Sequence, residues 1–196
     1  MLFRSDALPA QTTTFIGRER EVAEALALLE RTRVLTLTGP GGTGKTRLAL
    51  RVAAESAEAY RDRAVFVALA ALEDPSLVTS TVAAAVGVQE ESGRPILTSL
   101  TDRLAGMEVL LVLDNYEQLL AAAPLAGELV AAGPGVRVLV TSRAPLRLAG
   151  ELEYQVRPLA LPDTPAAATP EELAESEAVA LFVEREIGRA SCRERV

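Results

Sequence analysis

The chain alternates between short runs of apolar residues and longer segments in which apolar positions recur at helical spacing. Compact apolar runs bounded by turn residues predict buried strands, whereas recurrence at every third or fourth position predicts amphipathic helices. The predicted strands span Arg33–Thr38, Ala64–Ala70, Val109–Leu113, Val136–Arg143 and Leu152–Leu161. The predicted helices span Phe15–Thr32, Thr46–Tyr60, Leu77–Val88, Ile96–Gly106, Glu117–Ala132 and Leu173–Glu186. Strands alternating with helices predict an α/β domain with a mostly parallel sheet of about five strands.

A glycine-rich segment, GPGGTGKT, joins the first predicted strand to the helix that follows it. It matches G-x-x-x-x-G-K-[ST], in which backbone N–H groups surround phosphate oxygens, and a helix N-terminus adds attraction for anions. Lys45 is the only lysine in the chain, and a compact ammonium fits between phosphate oxygens where a planar guanidinium does not. A chance glycine turn would explain the octapeptide but not its setting. The residues predicted to bind the nucleotide here are Gly39, Pro40, Gly41, Gly42, Thr43, Gly44, Lys45, Thr46 and Arg47.

A second polar landmark, Asp114, comes directly after the apolar run Val109–Leu113. The carboxyl end of a buried parallel strand lies at the edge where doubly wound sheets bind ligands. A carboxylate at that edge would support a phosphate-bound magnesium ion together with the hydroxyl of Thr46. For Asp114 and the following Asn115, capping of the next helix is the alternative interpretation. The position downstream of a phosphate loop favours the magnesium site.

Arg143 ends another predicted strand, after Thr141 and Ser142, and so is expected at the same edge of the sheet. An arginine facing a triphosphate there would stabilise its charge. The spacing alone is equally compatible with an arginine that faces solvent.

Composition narrows the functional classes. The chain has 27 acidic and 20 basic residues and a net charge of −7, which is not the electrostatic footprint of a nucleic-acid binder. It has no histidine, so catalysis or metal binding by histidine is excluded. The lone cysteine, Cys192, provides no disulfide or cysteine metal site. No apolar run approaches a membrane span and no signal peptide is visible, so we expect a cytoplasmic protein without membrane contact.

The two ends of the chain resemble artificial sequence and not the protein sequence between them. Leu2–Ser5 and Ile187–Val196 resemble in-frame translations of the two ends of a sequencing adapter. Without these ends the balance is 16 basic and 26 acidic residues, which is still more acidic. The expected organisation is an adapter-like tail plus linker over 1–14, the α/β domain over 15–162, the start of a helical segment over 163–186 and an adapter artefact over 187–196.

Five motifs carry a family resemblance. FIGRERE, GPGGTGKT, VLLVLDNYE, VLVTSRAPL and the ending GELEYQVRPLAL with EAVALF occur in this order. Together they resemble signal-transducing P-loop ATPases, the STAND group and its NB-ARC relatives, over nearly all of Asp6–Glu186. The chain is most similar to the bacterial branch that joins such an ATPase to a DNA-binding or nucleotide-cyclase module and helical repeats. The resemblance implies the three-layer sandwich of P-loop NTPases.

The resemblance also implies roles for single residues. Gly17 and Arg18 would contact the adenine side of the nucleotide, Asp114 would hold magnesium and Arg143 would sense the γ-phosphate. Some relatives carry a second carboxylate where this chain has Asn115, which cannot act as a general base. Glu117 is the nearest acid, and it is open to two interpretations, a water-orienting residue or a solvated surface residue. Hydrolysis is therefore expected to be slow.

The function implied is ATP/ADP-dependent switching with slow Mg²⁺-dependent hydrolysis in a multidomain regulator of signalling or transcription. The expected partners are an adenine nucleotide and the effector and sensor domains of the same polypeptide, and nucleotide-dependent self-association is compatible with this role. One alternative is an enzyme or remodelling ATPase with steady turnover. The other is a scaffold that binds nucleotide for stability and does not hydrolyse it.

Overall fold

The computed structural model describes residues 8–9, 11, 13–62, 64–159 and 176–184. The chain forms two compact units, the first comprising Met1–Ala10 and Glu19–Val156 and the second Gln11–Arg18 and Arg157–Val196. Both adapter-like ends, and most of the predicted segment 163–186, lie outside the described residues. Within the second unit, residues 177–184 form a helix.

The first unit is built on one parallel sheet. Its strands are β1 (Val34–Thr38), β2 (Ala64–Ala68), β3 (Val109–Asp114), β4 (Val136–Ser142) and β5 (Glu151–Gln155). They lie in the order β2-β3-β4-β1-β5, and every pair is parallel. Parallel neighbours require crossover connections. Helices form the connections as far as β4, and a loop, residues 143–150, leads from β4 to β5. The predicted five-stranded parallel α/β fold is confirmed.

Helices cover both faces of this sheet. They are α1 (Glu19–Arg31), α2 (Lys45–Glu55), α3 (Val78–Ala85), α4 (Ile96–Leu104) and α5 (Ala123–Ala132). Val109, Leu111 and Leu113 of β3 pack in one apolar core with residues of α3, α4 and α5. Leu110 and Val112 alternate to the opposite face and are equally buried, on the side where α2 contacts the sheet. The result is a three-layer sandwich whose central strands are apolar on both faces.

Two helices begin later than predicted because residues before them adopt left-handed backbone. Gly17 and Arg18 have φ values of 67° and 66°, so α1 begins at Glu19 and not at Phe15. Asn115 has φ 65° and is followed by two 3-10 turns, Tyr116–Gln118 and Leu120–Ala122.

The helix predicted over Glu117–Ala132 is therefore wrong in its first six residues. The buried side chain of Tyr116 holds the turns, since its hydroxyl donates to the carbonyl oxygen of Ala122 at 2.8 Å. Pro124 then occupies the first turn of α5, where a missing N–H costs little.

Several elements end earlier than predicted, and the difference is largest for α2 and β5. α2 ends at Glu55 and is followed by a 3-10 turn, because the hydroxyl of Ser56 donates to a carbonyl oxygen of the last helical turn. β5 ends at Gln155 and not at Leu161. Among the described residues it pairs with β1 alone, and β1 ends where the glycine-rich segment begins.

Candidate functional site

The glycine-rich segment, residues 39–46, forms a loop between β1 and the N-terminus of α2. Gly42 and Gly44 have φ values of 81° and 86°, in the left-handed region that glycine enters without strain. Gly39 has φ 147°, and a Cβ added to it would lie 2.5 Å from the carbonyl oxygen of Val156. The backbone N–H of Val156 donates to Thr38 at 2.7 Å. The first glycine thus lets the loop lie directly against the end of β5.

The side chain of Lys45 folds across this loop. Its Nζ donates to the carbonyl oxygens of Gly39 at 2.8 Å and Pro40 at 2.9 Å, and the residue is only 9% exposed. Burial lowers the pKa of Lys45, and the nearby charge of Glu117 opposes that shift. Thr43 also donates to Pro40 at 3.0 Å, so the loop is held from inside by two side chains. Arg47 follows in the first turn of α2 and is half-buried.

Asp114 lies at the carboxyl end of β3 and joins three elements. Its Oδ1 accepts hydrogen bonds from the hydroxyl of Thr46 on α2 at 2.7 Å and from that of Thr141 on β4 at 2.6 Å. The Thr141 hydroxyl also accepts from the backbone N–H of Asn115 at 2.9 Å. Asp114 is buried, so these hydroxyl groups supply much of the polar environment of its carboxylate.

Arg143 and Glu117 form an ion pair at the same edge. Nε of Arg143 donates to Oε1 of Glu117 at 3.1 Å; the arginine side chain is 66% exposed and the glutamate 13%. A Cβ added to Gly41 would lie 3.8 Å from Nη2 of Arg143, so the guanidinium borders the loop. Oε2 of Glu117 is buried and makes no hydrogen bond within the described part of the chain. Glu117 thus lies in a 3-10 turn and not in an α-helix, and most of its side chain is buried.

The oxygen atoms near Asp114 fit a magnesium ion. A threonine hydroxyl has one proton and two lone pairs, so Thr46 can donate to Asp114 and still offer a lone pair to a cation. Hydroxyl and carboxylate oxygens are the hard ligands that Mg²⁺ takes, together with phosphate and water. No group of three or more histidine, cysteine or acidic residues in the described ranges could hold a metal ion by itself. This donor set suits an ion that arrives with its phosphates.

Gly17 and Arg18 lie in the second unit. Arg18 is buried; its backbone N–H donates to Oε1 of Glu177 at 3.1 Å, and its Nη2 donates to the carbonyl oxygen of Arg157 at 2.9 Å. A Cβ on Gly17 would require the carboxylate of Glu177 to move, and its φ of 67° is a conformation that residues with a side chain rarely adopt. The role of Gly17 and Arg18 at the adenine remains a prediction.

Sequence reasoning overlooked the part that Thr141 plays in this site. A signal was present, because Thr141 is a polar residue at the end of the otherwise apolar run Val138–Val140. Its contact with Asp114 depends on the pairing of β3 with β4, in which Leu113 lies beside Val140.

The parallel sheet and the glycine-rich loop between β1 and α2 define a P-loop domain. Residues 29–140 match the model of the AAA domain family, and the chain therefore belongs to that family. The predicted resemblance is confirmed at this level, an AAA-type P-loop ATPase domain. Among the described residues, no helix is both long enough and apolar enough to span a membrane.

Individual proteins are also similar to this chain, in sequence or in fold. A protein of Mycobacterium tuberculosis named as an HTH-type transcriptional regulator is 41% identical over 160 residues, which are 81% of this chain and 16% of that protein. The STAND protein with a tetratricopeptide repeat sensor from Pyrococcus horikoshii shares the fold, with a TM-score of 0.56 and 18% identity over 85% of this chain and 28% of its own. The ORC2 protein of Aeropyrum pernix, solved in ADPNP-ADP complexes, has a TM-score of 0.52 and 16% identity over 89% and 54% of the two chains.

Proposed function

We propose that this domain is an ATP/ADP-binding switch with slow Mg²⁺-dependent ATP hydrolysis, within a longer regulator of signalling or transcription. The observation that carries the proposal is the hydrogen bond of 2.7 Å between the Thr46 hydroxyl and Asp114. It joins the phosphate loop to the acid at the end of β3, which is the pairing that a phosphate-bound magnesium ion needs.

Different residues of the loop and its surroundings would bind the phosphates and the magnesium ion. The backbone N–H groups of residues 41–46 and the N-terminus of α2 would surround the phosphates. Lys45 would exchange its two carbonyl acceptors for β- and γ-phosphate oxygens, which carry more negative charge. Thr46 and Asp114 would hold Mg²⁺, whose charge would neutralise that of the phosphates.

The ion pair between Arg143 and Glu117 supports a switch. Arg143 borders the loop at Gly41, and its side chain is exposed enough to turn toward a γ-phosphate. ADP lacks that phosphate, so the contact would distinguish the two nucleotides, which a conformational switch requires. When Arg143 turned away from Glu117, the carboxylate of Glu117 would become free to act beside the nucleotide.

Glu117 also favours hydrolysis over a scaffold that only binds nucleotide. A buried carboxylate oxygen with no hydrogen bond in the described part of the chain is costly unless something else uses it. A water molecule positioned for attack would be such a partner. Asn115 offers no second carboxylate beside Asp114, and this supports slow turnover.

The place of the domain in a regulator rests on its relatives. The chain spans only 16% of the M. tuberculosis protein that it matches, and that protein is named as a transcriptional regulator. The P. horikoshii structure likewise contains much more chain than the matching domain. We therefore propose effector and sensor domains in the same polypeptide, and nucleotide-dependent self-association as a means of coupling them.

Lys45→Ala tests the phosphate site. We expect the affinity of the 196-residue chain for both ATP and ADP to fall about tenfold or more, which is a loss of binding free energy of at least about 1.4 kcal/mol. The matched control is Arg51→Ala, which removes a positive charge from the exposed face of the same helix. Titration of a fluorescent adenine nucleotide measures both. Equal affinities of wild type and Lys45→Ala would refute the assignment.

Turnover separates the remaining alternatives. The switch is expected to release phosphate slowly and only with Mg²⁺. Rapid steady hydrolysis, or a phosphorylated product, would instead indicate a turnover enzyme or remodelling ATPase. Tight binding with no phosphate release would indicate a scaffold. Phosphate release under single-turnover and steady-state conditions measures the difference.

A further inference from the structure

The hydroxyl of Thr141 lies between the magnesium-site acid and the backbone that follows it. Thr141 is 1% exposed, and its Oγ1 donates to Asp114 at 2.6 Å while accepting from the Asn115 N–H at 2.9 Å. A hydroxyl has a single proton to donate. Because the Asn115 N–H points at the oxygen of Thr141, the threonine proton is directed to the carboxylate.

This arrangement fixes the carboxylate from two sides. Thr141 approaches Oδ1 of Asp114 from β4, and Thr46 approaches the same oxygen from α2. Thr46 must also present a lone pair to any cation, so its own position depends on the orientation of Asp114. Without Thr141, Asp114 could rotate away from the direction that suits both Thr46 and the ion.

We infer that Thr141 is a positioning residue, one that orients Asp114 for magnesium without touching the ion or the nucleotide. The inference rests on the proposed function, because it needs Asp114 to bind Mg²⁺. Partners that orient a metal ligand commonly change metal affinity by about 10- to 100-fold when they are removed.

Thr36 provides a matched control. It lies on β1 beside Val140 of β4, is fully buried, and its hydroxyl makes no hydrogen bond with any described residue. Thr36→Val and Thr141→Val both replace one buried hydroxyl by a methyl group in adjacent strands. Only Thr141→Val removes a hydrogen bond from Asp114.

The experiment is a magnesium titration of nucleotide binding. For the 196-residue chain, fluorescent ADP is titrated over a series of Mg²⁺ concentrations and in EDTA. We expect Thr141→Val to raise the Mg²⁺ concentration for half-maximal enhancement about tenfold, with affinity in EDTA unchanged. Thr36→Val is expected to match wild type, and Thr141→Ser, which keeps the hydroxyl, is expected to restore the wild-type response.

A second measurement needs neither nucleotide nor metal. Because the Asn115 N–H donates to Thr141, its hydrogen exchange observed by NMR should accelerate in Thr141→Val and return toward wild type in Thr141→Ser. Thr36→Val should leave that amide unchanged. This readout tests the hydrogen bond itself, apart from ligand binding.

The outcomes separate this inference from the proposed function. Wild-type binding that does not respond to Mg²⁺ would overturn the proposed magnesium site, and the positioning role with it. A wild-type response that Thr141→Val leaves unchanged would overturn the positioning role alone. If Thr141→Val does not fold, Thr141→Ala and Thr141→Ser take its place, and an equal response of those two would overturn the inference.

Discussion

Arg143→Ala should separate ATP from ADP. In the structure Arg143 pairs with Glu117 at 3.1 Å, and a contact with a γ-phosphate would replace that pair. Since the arginine side chain is 66% exposed, the pair contributes at most about 1 kcal/mol. A charge-assisted hydrogen bond to phosphate contributes about 1.5–3 kcal/mol. The difference, about 0.5–3 kcal/mol, corresponds to about 2- to 150-fold in ATP affinity.

The measured quantity is the ratio of the two affinities with Mg²⁺ present. A non-hydrolysable ATP analogue replaces ATP, so turnover does not distort the titration. Arg143→Ala should weaken the analogue by this factor and change ADP less than about twofold, because ADP has no γ-phosphate. Arg103→Ala, which removes an exposed arginine from α4, controls for net charge.

Glu117→Gln tests the same ion pair from its other partner. Glutamine keeps the shape of glutamate but has no negative charge to hold Arg143, so the preference for the ATP analogue over ADP should increase. Hydrolysis should fall, because the carboxylate that would position water is removed. If Arg143→Ala weakens both nucleotides equally, Arg143 makes no contact with the γ-phosphate. If Glu117→Gln lowers the preference instead, the pair does not compete with nucleotide.

Three further predictions concern the loop and its acid. Asp114→Asn should lower Mg²⁺-dependent phosphate release on the order of tenfold or more, while nucleotide binding in EDTA persists; unchanged release would show that the acid is misassigned. In thermal or denaturant unfolding, Gly39→Ala should cost about 2 kcal/mol or more because its Cβ would meet Val156. Gly42→Ala has no described atom within 4 Å and should cost about 1 kcal/mol, from its backbone alone; equal costs would contradict the clash. Burial lowers the pKa of Lys45 and bound phosphates raise it, so calorimetry should show nucleotide affinity declining as pH rises above the lowered pKa of the free domain, and Lys45→Ala should abolish that decline.

The fold could be predicted from the sequence because short local patterns of apolar residues indicate its strands and helices. Apolar runs such as Val109–Leu113, bounded by turn residues, indicate buried strands without knowledge of their neighbours. The starts of α1 and α5 were wrong because Arg18 and Asn115 adopt left-handed backbone. Arginine enters that region rarely, so its own identity gives no warning.

Some features of the candidate site were likewise evident from local sequence, and others were not. Lys45 and Thr46 belong to a contiguous motif, and Asp114 follows an apolar strand, so the sequence alone singles out all three as candidate site residues. The bonds of Thr141 and the pairing of Arg143 with Glu117 depend on which strands are neighbours and on the turn after β3. Neither is encoded in a single stretch of sequence, so these contacts required the structure.

The lone lysine gives this domain a built-in chemical reporter. An amine-acylating reagent meets only Lys45 and the terminal amine of the chain. The lowered pKa of Lys45 increases the share of neutral amine, which is the form that reacts, while two carbonyl oxygens and burial restrict access to it. A nucleotide in the loop would shield it further. The yield of the acyl adduct on Lys45, distinguished from that on the terminal amine by peptide mass spectrometry, would thus track loop occupancy without any engineered label.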